Sequence, residues 1–468
     1  MVGNGLAQPA EAIAPSTPRA SGGPVEIVMP PSSAGGVAQG RPGSHDWGVR
    51  PHPVALSEAG ATACDLAEGI ATSWLHGATE RDRMGRFDVA LIEKVQLSGL
   101  AGCCVPVELG GLGLTQLGDL VAVVHRLAAA DASLALAVHM HLSASWSLAR
   151  AWRANSDRRG SAGAAENERA ALLFSVGAGR SWLSAAVTEA GTNFFHPRTT
   201  LDPRPEGGWV LRGTKIFATG SPAATHFSVN SRITAGPQAN HLAQLFVAAA
   251  SPGVHVEDDW DGLGMRASGS GAVRFEDVVL PDSTLVLVGG PYGRFGAASL
   301  CGRAFGNVGN VVAMAAIAWA AEALAIERIT GASRVVAAPL AARATVRASL
   351  AELSADAFVL QAVVETLARR ADEVANRLVS DPASVDDAAA LRFMADFQAA
   401  KLAINRLAAG VVDRALSLAG GAGYTASHPL ARLTRDVRAG QFMQPFSPHE
   451  SLGFLGAVAA GVEPDAEA

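Results

Sequence analysis

Two threonines and an aromatic residue near the middle of the chain have side chains that suit a flat, hydrogen-bonding ligand. Thr188 and Thr219 each close a run with strand character, and Phe217 lies two positions before Thr219. We expect Phe217 and Thr219 to share one strand face, because alternate residues of a strand point the same way. An uncharged hydroxyl beside an aromatic face suits a ring such as an isoalloxazine. Taken alone, ordinary strand threonines and a core phenylalanine are the commoner explanation.

The elements around these residues predict a β module between two helical regions. Short runs of β-branched and aromatic residues separated by glycines predict strands, among them His241–Ala250 and Val273–Leu280. From Val346 to Leu367 apolar residues step by four and three, which is typical of a helical bundle. The predicted fold is α+β and multidomain. Its parts are a disordered tail (1–48), an N-terminal all-α domain (49–183), a central antiparallel β barrel or sandwich (184–292), a C-terminal four-helix bundle (293–461) and a short tail (462–468).

The composition is that of a large, well-buried protein with small-molecule ligands. Of the 468 residues 49% are hydrophobic and 17% charged, with a net charge of -6. No Lys/Arg-rich block indicates a nucleic-acid partner. The apolar run from Val311 to Ile326 contains Glu322 and is too short for a membrane span, so we predict a core helix. The start of the chain has no secretory pattern, and we expect a cytoplasmic protein.

The potential metal ligands do not form a recognisable site. The four cysteines have no CxxC spacing, which favours reduced, buried thiols. His139 and His141 lie two residues apart on a predicted helix, so their side chains cannot share an ion. We therefore predict no metal.

Two short segments resemble the signatures of the acyl-CoA dehydrogenase family. The stretch 187–191, Val-Thr-Glu-Ala-Gly, is similar to V-T-E-P-G-x-G-S-D, and 213–219, Gly-Thr-Lys-Ile-Phe-Ala-Thr, is similar to G-x-K-x-W-I-T. Further matches follow in the family's order and extend the resemblance over about residues 50 to 460. They are Gly111–Leu114, Gly262–Arg266, Phe275–Val278, Gly420–Tyr424, Pro429, Arg432, Arg435 and Asp436.

The resemblance implies an FAD cofactor whose ring is held between the β domain and the C-terminal helices. Val187 and Thr188 would contact the pyrimidine side of the ring, and Thr219 would donate toward its N5. Phe217 would replace the family's tryptophan, which keeps a flat apolar contact but loses the indole donor.

The same resemblance predicts contacts at the far end of FAD and an oligomer. Arg328 would bind the diphosphate from a neighbouring subunit, because its guanidinium grips phosphate oxygens bidentately. Gly420 and Gly421 would let the backbone approach the adenylate, although a helix cap explains both glycines equally well. A homodimer or homotetramer is implied.

The family's catalytic base is missing from both positions where it is expected. The usual position follows the Arg435–Asp436 pair by eight residues and holds Gln444, and the alternative position falls near Val308. Glu450, or a neutral His449, are candidates for a relocated base if the loop folds back. A first-turn acid and a surface histidine are the commoner explanation.

The family's polar anchors for a thioester ligand are also replaced. Asn193, Phe194 and Phe195 stand where Gly-Ser-Asp closes the first signature, and Gly309 stands where an arginine is expected. Together with Phe442, the apolar residues at these positions predict a pocket that excludes water.

Three functions follow from the resemblance and its departures. The first is FAD-dependent α,β-dehydrogenation of an acyl thioester, CoA- or carrier-bound, with a relocated base and an electron-acceptor protein. The second is a flavin-dependent monooxygenase of the same fold, which uses oxygen and needs no such base. The third is a flavin-binding homologue without catalysis.

Overall fold

The N-terminal part of the described structure is entirely helical. The computed structural model describes residues 52–156, 164–284, 286–331 and 338–465, so the predicted tail 1–48 lies outside it. Leu117, Leu120, Val124 and Leu127, predicted to form one helix face, are all buried. The helices are α1 (Glu58–Leu75), α2 (Ala78–Met84), α3 (Val89–Leu97), α4 (Leu117–Ala130), α5 (Ala132–Ser156) and α6 (Ala164–Gly177).

The central sheet has eight strands, which are ordered β6-β7-β3-β2-β4-β5-β8 with β1 beside β4. They are β1 (Leu183–Ala186), β2 (Thr200–Pro203), β3 (Trp209–Lys215), β4 (His226–Ile233), β5 (His241–Ala248), β6 (Val254–Val256), β7 (Val273–Leu280) and β8 (Val286–Pro291). The sheet is mixed rather than purely antiparallel, because β1 and β2 both run parallel to β4. The eight-residue β4 is long enough to pair with both four-residue strands along one edge.

The C-terminal helices pack around one long buried helix. They are α7 (Ala297–Thr330), α8 (Ala344–Ser380), α9 (Asp387–Ala419), α10 (Pro429–Asp436) and α11 (Pro448–Ala460). Within the described residues, α7 alone has the length and hydropathy of a membrane span, and 83% of that window is buried inside the protein. From Leu353 to Leu367 the predicted seam of α8 is buried, whereas Val346 and Leu350 are only half-buried.

Candidate active site

A cavity of about 680 Å³ lies between the central sheet and the helices that flank it. Its β wall, as we name it, contains all four residues predicted to contact a flavin ring, together with Ser270. They are Val187, Thr188, Phe217 and Thr219. Residues from three distant parts of the β domain thus meet at one surface.

The backbone holds these residues in turns rather than in strands. β1 ends at Ala186 and β3 at Lys215, so Thr188 and Thr219 lie two and four residues beyond their strands. The prediction that Phe217 and Thr219 share a strand face is wrong. Phe217 has a φ of 55°, and the Thr219 N–H donates to the Phe217 carbonyl at 2.9 Å, which forms a tight turn. The Phe217 side chain stays 50% exposed.

A buried ion pair ties the two signature segments together. Lys215 Nζ lies 2.5 Å from Glu189 Oε1, with side-chain exposures of 0% and 5%. Glu189 also accepts from the backbone N–H groups of Arg198 and Thr199. Burial lowers the pKa of Lys215 to about 8, against the opposing attraction of Glu189. Burial alone would raise the pKa of Glu189, but Lys215 and the donated hydrogen bonds outweigh it and lower that pKa.

Thr219 belongs to a chain of buried hydroxyl groups. Its Oγ1 lies 2.9 Å from Ser270 Oγ, which lies 2.6 Å from Ser268 Oγ. The Ser184 hydroxyl donates to the Thr219 carbonyl at 2.8 Å. Ser268 and Ser270 were not predicted as site residues, although Ala-Ser-Gly-Ser at 267–270 directly follows the family-like motif Gly262–Arg266.

The opposite side, which we call the helical wall, presents polar side chains of α7. Arg303, Asn307 and Asn310 are spaced by four and three residues, so they share one helix face. Asn310 Nδ2 donates to Asn307 Oδ1 at 2.8 Å, and Asn307 Nδ2 donates to the Arg303 carbonyl at 2.7 Å. Sequence reasoning missed this row, whose signal is three polar residues at helical spacing in an apolar segment.

Gln444 lies in the helical wall beside Arg303. The Arg303 guanidinium lies over the Phe194 ring at 4.2 Å, and its Nη2 lies 3.4 Å from Gln444 Oε1. Lys401 fixes the segment around Gln444, because its Nζ donates to the carbonyls of Met443, Pro445 and Phe446 at 2.5 to 3.0 Å. Burial lowers the pKa of Lys401 to about 8.

Neither the alternative position for the base nor the two relocated candidates line the cavity. Val308 is fully buried and does not line the cavity. Glu450 forms a capping box with Ser447 at the start of α11 and is not among the lining residues. His449 is exposed and also lies outside the lining.

The glycine at position 309, where the family resemblance predicts an arginine, has a steric explanation. A side chain added at Gly309 would overlap the ring of His139. The buried His139 therefore occupies the space into which a side chain at 309 would project.

The cavity lining is rich in cations and poor in carboxylates. Among the described lining residues Asp261 is the one carboxylate, and it is exposed. Four arginines line the same space. Arg435 pairs with Asp82 and Arg438 with Asp413, whereas Arg150 and Arg303 have no carboxylate partner within the described chain.

The remaining predicted residues lie outside the cavity lining. Arg328 is half-buried near the end of α7, and Gly420 ends α9 with a φ of 65° beside the exposed Gly421. Their predicted contacts with FAD, and the predicted subunit arrangement, stay predictions. No group of three or more metal-ligating side chains occurs within the described residues, where all four cysteines are buried and free.

Models of the acyl-CoA dehydrogenase family match three parts of the chain. Its N-terminal domain matches residues 65–152, its middle domain 184–278 and its C-terminal domain 307–444. A structure of butyryl-CoA dehydrogenase from Megasphaera elsdenii has a TM-score of 0.71 at 23% identity and covers 87% of this chain and 99% of that one. That likeness shows the fold.

Closer similarity is found to enzymes that act on amino sugars. L-evernosamine nitrososynthase from Micromonospora sp. is 38% identical over 410 residues, which are 88% of this chain and 92% of that protein. The structure of KijD3 in complex with FMN and dTDP-3-amino-2,3,6-trideoxy-4-keto-3-methyl-D-glucose has a TM-score of 0.79 at 35% identity and covers 88% of this chain and 96% of that one. The chain therefore belongs to the acyl-CoA dehydrogenase family and is a flavin-dependent enzyme of that fold.

Proposed function

We propose that the protein is an amino sugar nitrososynthase, a flavin-dependent monooxygenase that oxidises the amino group of a dTDP-linked sugar. Relatives named for this activity are similar over nearly their whole length. A similar structure holds a dTDP-linked amino sugar together with FMN. We accordingly propose FMN rather than the FAD that the family resemblance implies.

One observation in the cavity supports N-oxygenation over thioester dehydrogenation. The position expected to hold the base is Gln444, and the one lining carboxylate, Asp261, is exposed. Removal of a carbon-bound proton needs a positioned base. An uncharged amine already carries the lone pair that attacks an activated oxygen atom. A glutamine at this position is compatible with N-oxygenation and not with thioester dehydrogenation.

The reaction balances as two successive oxygenations. In the first, R–NH₂, O₂ and two reducing hydrogens give R–NHOH and water. In the second, R–NHOH, O₂ and two reducing hydrogens give R–N=O and two waters. A reduced flavin, when bound, would supply the two electrons of each step and activate dioxygen.

The residues of the β wall fit a flavin ring. Phe217 offers a flat apolar face, and Thr188 and Thr219 offer neutral hydroxyls in the same cavity. The ion pair of Glu189 with Lys215 fixes the turns that carry them. Buried hydroxyls that already have one partner are held in place for a further hydrogen bond.

The helical wall would orient the sugar and keep water out. Phe194 lines the cavity beside Arg303, and water exclusion there would protect an activated oxygen from wasteful decay. Phe442 also lines the cavity but is 76% exposed, so the expectation that it excludes water is not met in the described structure. Asn307, Asn310 and Gln444 supply neutral hydrogen-bonding groups for a polar sugar. None of these carries a negative charge that would hold the amine as an ammonium ion.

The test is turnover of the dTDP-linked amino sugar named above with FMN, a flavin reductase and isotopically heavy dioxygen. We expect mass spectrometry to show labelled hydroxylamine and nitroso products. The matched sugar with a hydroxyl in place of the amine should stay unchanged. Unlabelled product, or no product, would overturn the proposal.

A variant separates this function from the dehydrogenase. Gln444→Glu restores the family's carboxylate beside Arg303. If the protein is an N-oxygenase, we expect this variant to lose most turnover, because the new carboxylate favours the protonated amine, which has no lone pair for the oxygenation. Anaerobic bleaching of the flavin by acyl-CoA, in the parent chain or more strongly in this variant, would instead support dehydrogenation.

A further inference from the structure

Arg303 is a cation that none of the described side chains neutralises. Its charge persists at neutral pH, because burial lowers its pKa only to about 9. No described carboxylate pairs with it, and its Nε has no hydrogen-bond partner. Its contacts are the Phe194 ring at 4.2 Å and the Gln444 amide oxygen at 3.4 Å. A guanidinium has five N–H donors, so most of them remain available to a ligand.

The side chains beside Arg303 also have free hydrogen-bonding capacity. Asn310 is 6% exposed and lines the cavity, and its Oδ1 has no partner in the described structure. Its Nδ2 is bound to Asn307, which in turn is bound to the backbone of Arg303. Buried polar atoms are nearly always satisfied in native proteins. The free Asn310 Oδ1 is an acceptor, so it suits an N–H or O–H group of a ligand, whereas the donors for an anion are those of Arg303.

The shape of the Arg303 guanidinium, together with the ligands of similar proteins, favours a phosphate. A planar guanidinium fork matches two oxygens of a phosphate or carboxylate. The guanidinium carbon lies 4.2 Å from the centroid of the Phe194 ring, a cation–π contact that does not use the N–H donors. All three ligands of the similar KijD3 structures carry phosphate esters, namely dTDP, FMN and a dTDP-linked amino sugar.

We propose that Arg303, held on Phe194 and flanked by Asn307 and Asn310, is the site that binds a phosphate ester inside the cavity. The proposal deepens the proposed function and rests on it for the nucleotide ligands. The phosphate belongs either to FMN or to the diphosphate of the sugar nucleotide. The experiment distinguishes these two sources.

The test compares ligands that differ only in phosphate. Affinities of the purified protein are measured for FMN against riboflavin, and for dTDP against thymidine, with inorganic pyrophosphate as a probe without a base or sugar. The variants are Arg303→Met, which keeps the length of the side chain but removes its charge, and Arg303→Lys, which keeps a charge without the fork.

Arg232→Met is the matched control. Arg232 also lies over an aromatic ring, that of Tyr292 at 4.9 Å, but it does not line the cavity. The same substitution there removes an arginine and a cation–π contact without touching the proposed site. Melting temperatures verify that each variant folds, and Arg303→Lys carries the test if Arg303→Met does not.

We expect Arg303→Met to weaken one phosphate-bearing ligand by about tenfold or more, the usual scale for a charge-assisted hydrogen bond, while its phosphate-free partner binds as before. A selective loss for dTDP assigns the diphosphate, and a selective loss for FMN assigns the flavin phosphate. Arg303→Lys should lie between, and Arg232→Met should match the parent. Equal affinities in all variants would overturn the proposal.

The outcome for Arg303 can be separated from the outcome for the proposed function. Binding of pyrophosphate that depends on Arg303, without binding of dTDP, would retain the anion site and remove the sugar-nucleotide function. Binding of dTDP and of FMN that is the same with and without Arg303 would retain the sugar-nucleotide function and remove the anion site.

Discussion

The two walls of the cavity handle buried charge in opposite ways. The β wall stands on a complete ion pair, Glu189 with Lys215, which the protein supplies from both sides. The helical wall holds neutral amides and Arg303, whose charge has no carboxylate partner in the part of the chain that the structure describes. Loss of one partner from a buried ion pair destabilises a fold, whereas an unpaired charge beside a cavity is a candidate ligand-binding group. The difference separates a supporting frame from a recognition surface.

Acid should lower the free energy of unfolding, because two buried histidines of α5 resist protonation in the folded protein. His139 and His141 on α5 are 0% exposed, and burial lowers the pKa of each to about 4. Between pH 6.5 and 4 the unfolded chain binds protons at these rings that the folded chain does not. Lowering the pH therefore favours unfolding, by up to about 1.4 kcal/mol per pH unit for each ring. Asp436, whose pKa burial raises to about 6, opposes this trend.

Denaturant unfolding between pH 7 and pH 4.5 measures the acid effect. His139→Gln, which keeps a donor toward the Gly306 carbonyl, should flatten the loss of stability with falling pH. The same change at the exposed His255 is the control. An unchanged pH dependence in the His139 variant would contradict the assignment.

Breaking the ion pair of the β wall should have the next largest effect. Lys215→Met leaves Glu189 buried without its counter-charge, and such a loss typically costs about 3–5 kcal/mol. Arg212→Met on the same strand is the control, because its pairs with Asp202 and Asp277 are exposed and such pairs contribute only about 0–1 kcal/mol. Thermal melts compare the two. Similar losses would mean that the buried pair does not support the β wall.

The β wall was largely predictable from the sequence, and the helical wall was not. Thr188 and Thr219 lie in short contiguous segments that resemble the family's signatures, so the resemblance, and not the residue types alone, predicted that they lie at one site. Their backbone was predicted wrongly at Phe217, because a left-handed φ at a non-glycine residue has no reliable local signal. The contacts of Arg303 with Phe194 and Gln444 join segments more than 100 residues apart in the chain, and no periodicity indicates such pairings.

The close packing of Gly309 against His139 should give a smaller effect. A methyl group at 309 meets the buried imidazole, and overpacking of this kind costs about 1–3 kcal/mol. Gly302→Ala on the same helix is the control, because an added methyl there meets open space and removes a flexible residue. Equilibrium unfolding should show a loss for the first and no loss for the second. If Gly309→Ala were as stable as Gly302→Ala, His139 would not be what excludes a side chain at 309.

The smallest effect should come from a single hydroxyl of the β wall. Thr219→Val keeps the shape of the side chain but removes its bond to Ser270 and its proposed bond to the flavin. A neutral hydrogen bond contributes about 0.5–1.5 kcal/mol, so FMN should bind roughly two- to tenfold more weakly. Thr214→Val, at an exposed position of β3 outside the cavity, should bind FMN like the parent. Fluorescence titration with FMN measures both. Equal affinities would remove Thr219 from the flavin site, and because phosphate plays no part in this contact, the same ratio should be found with riboflavin.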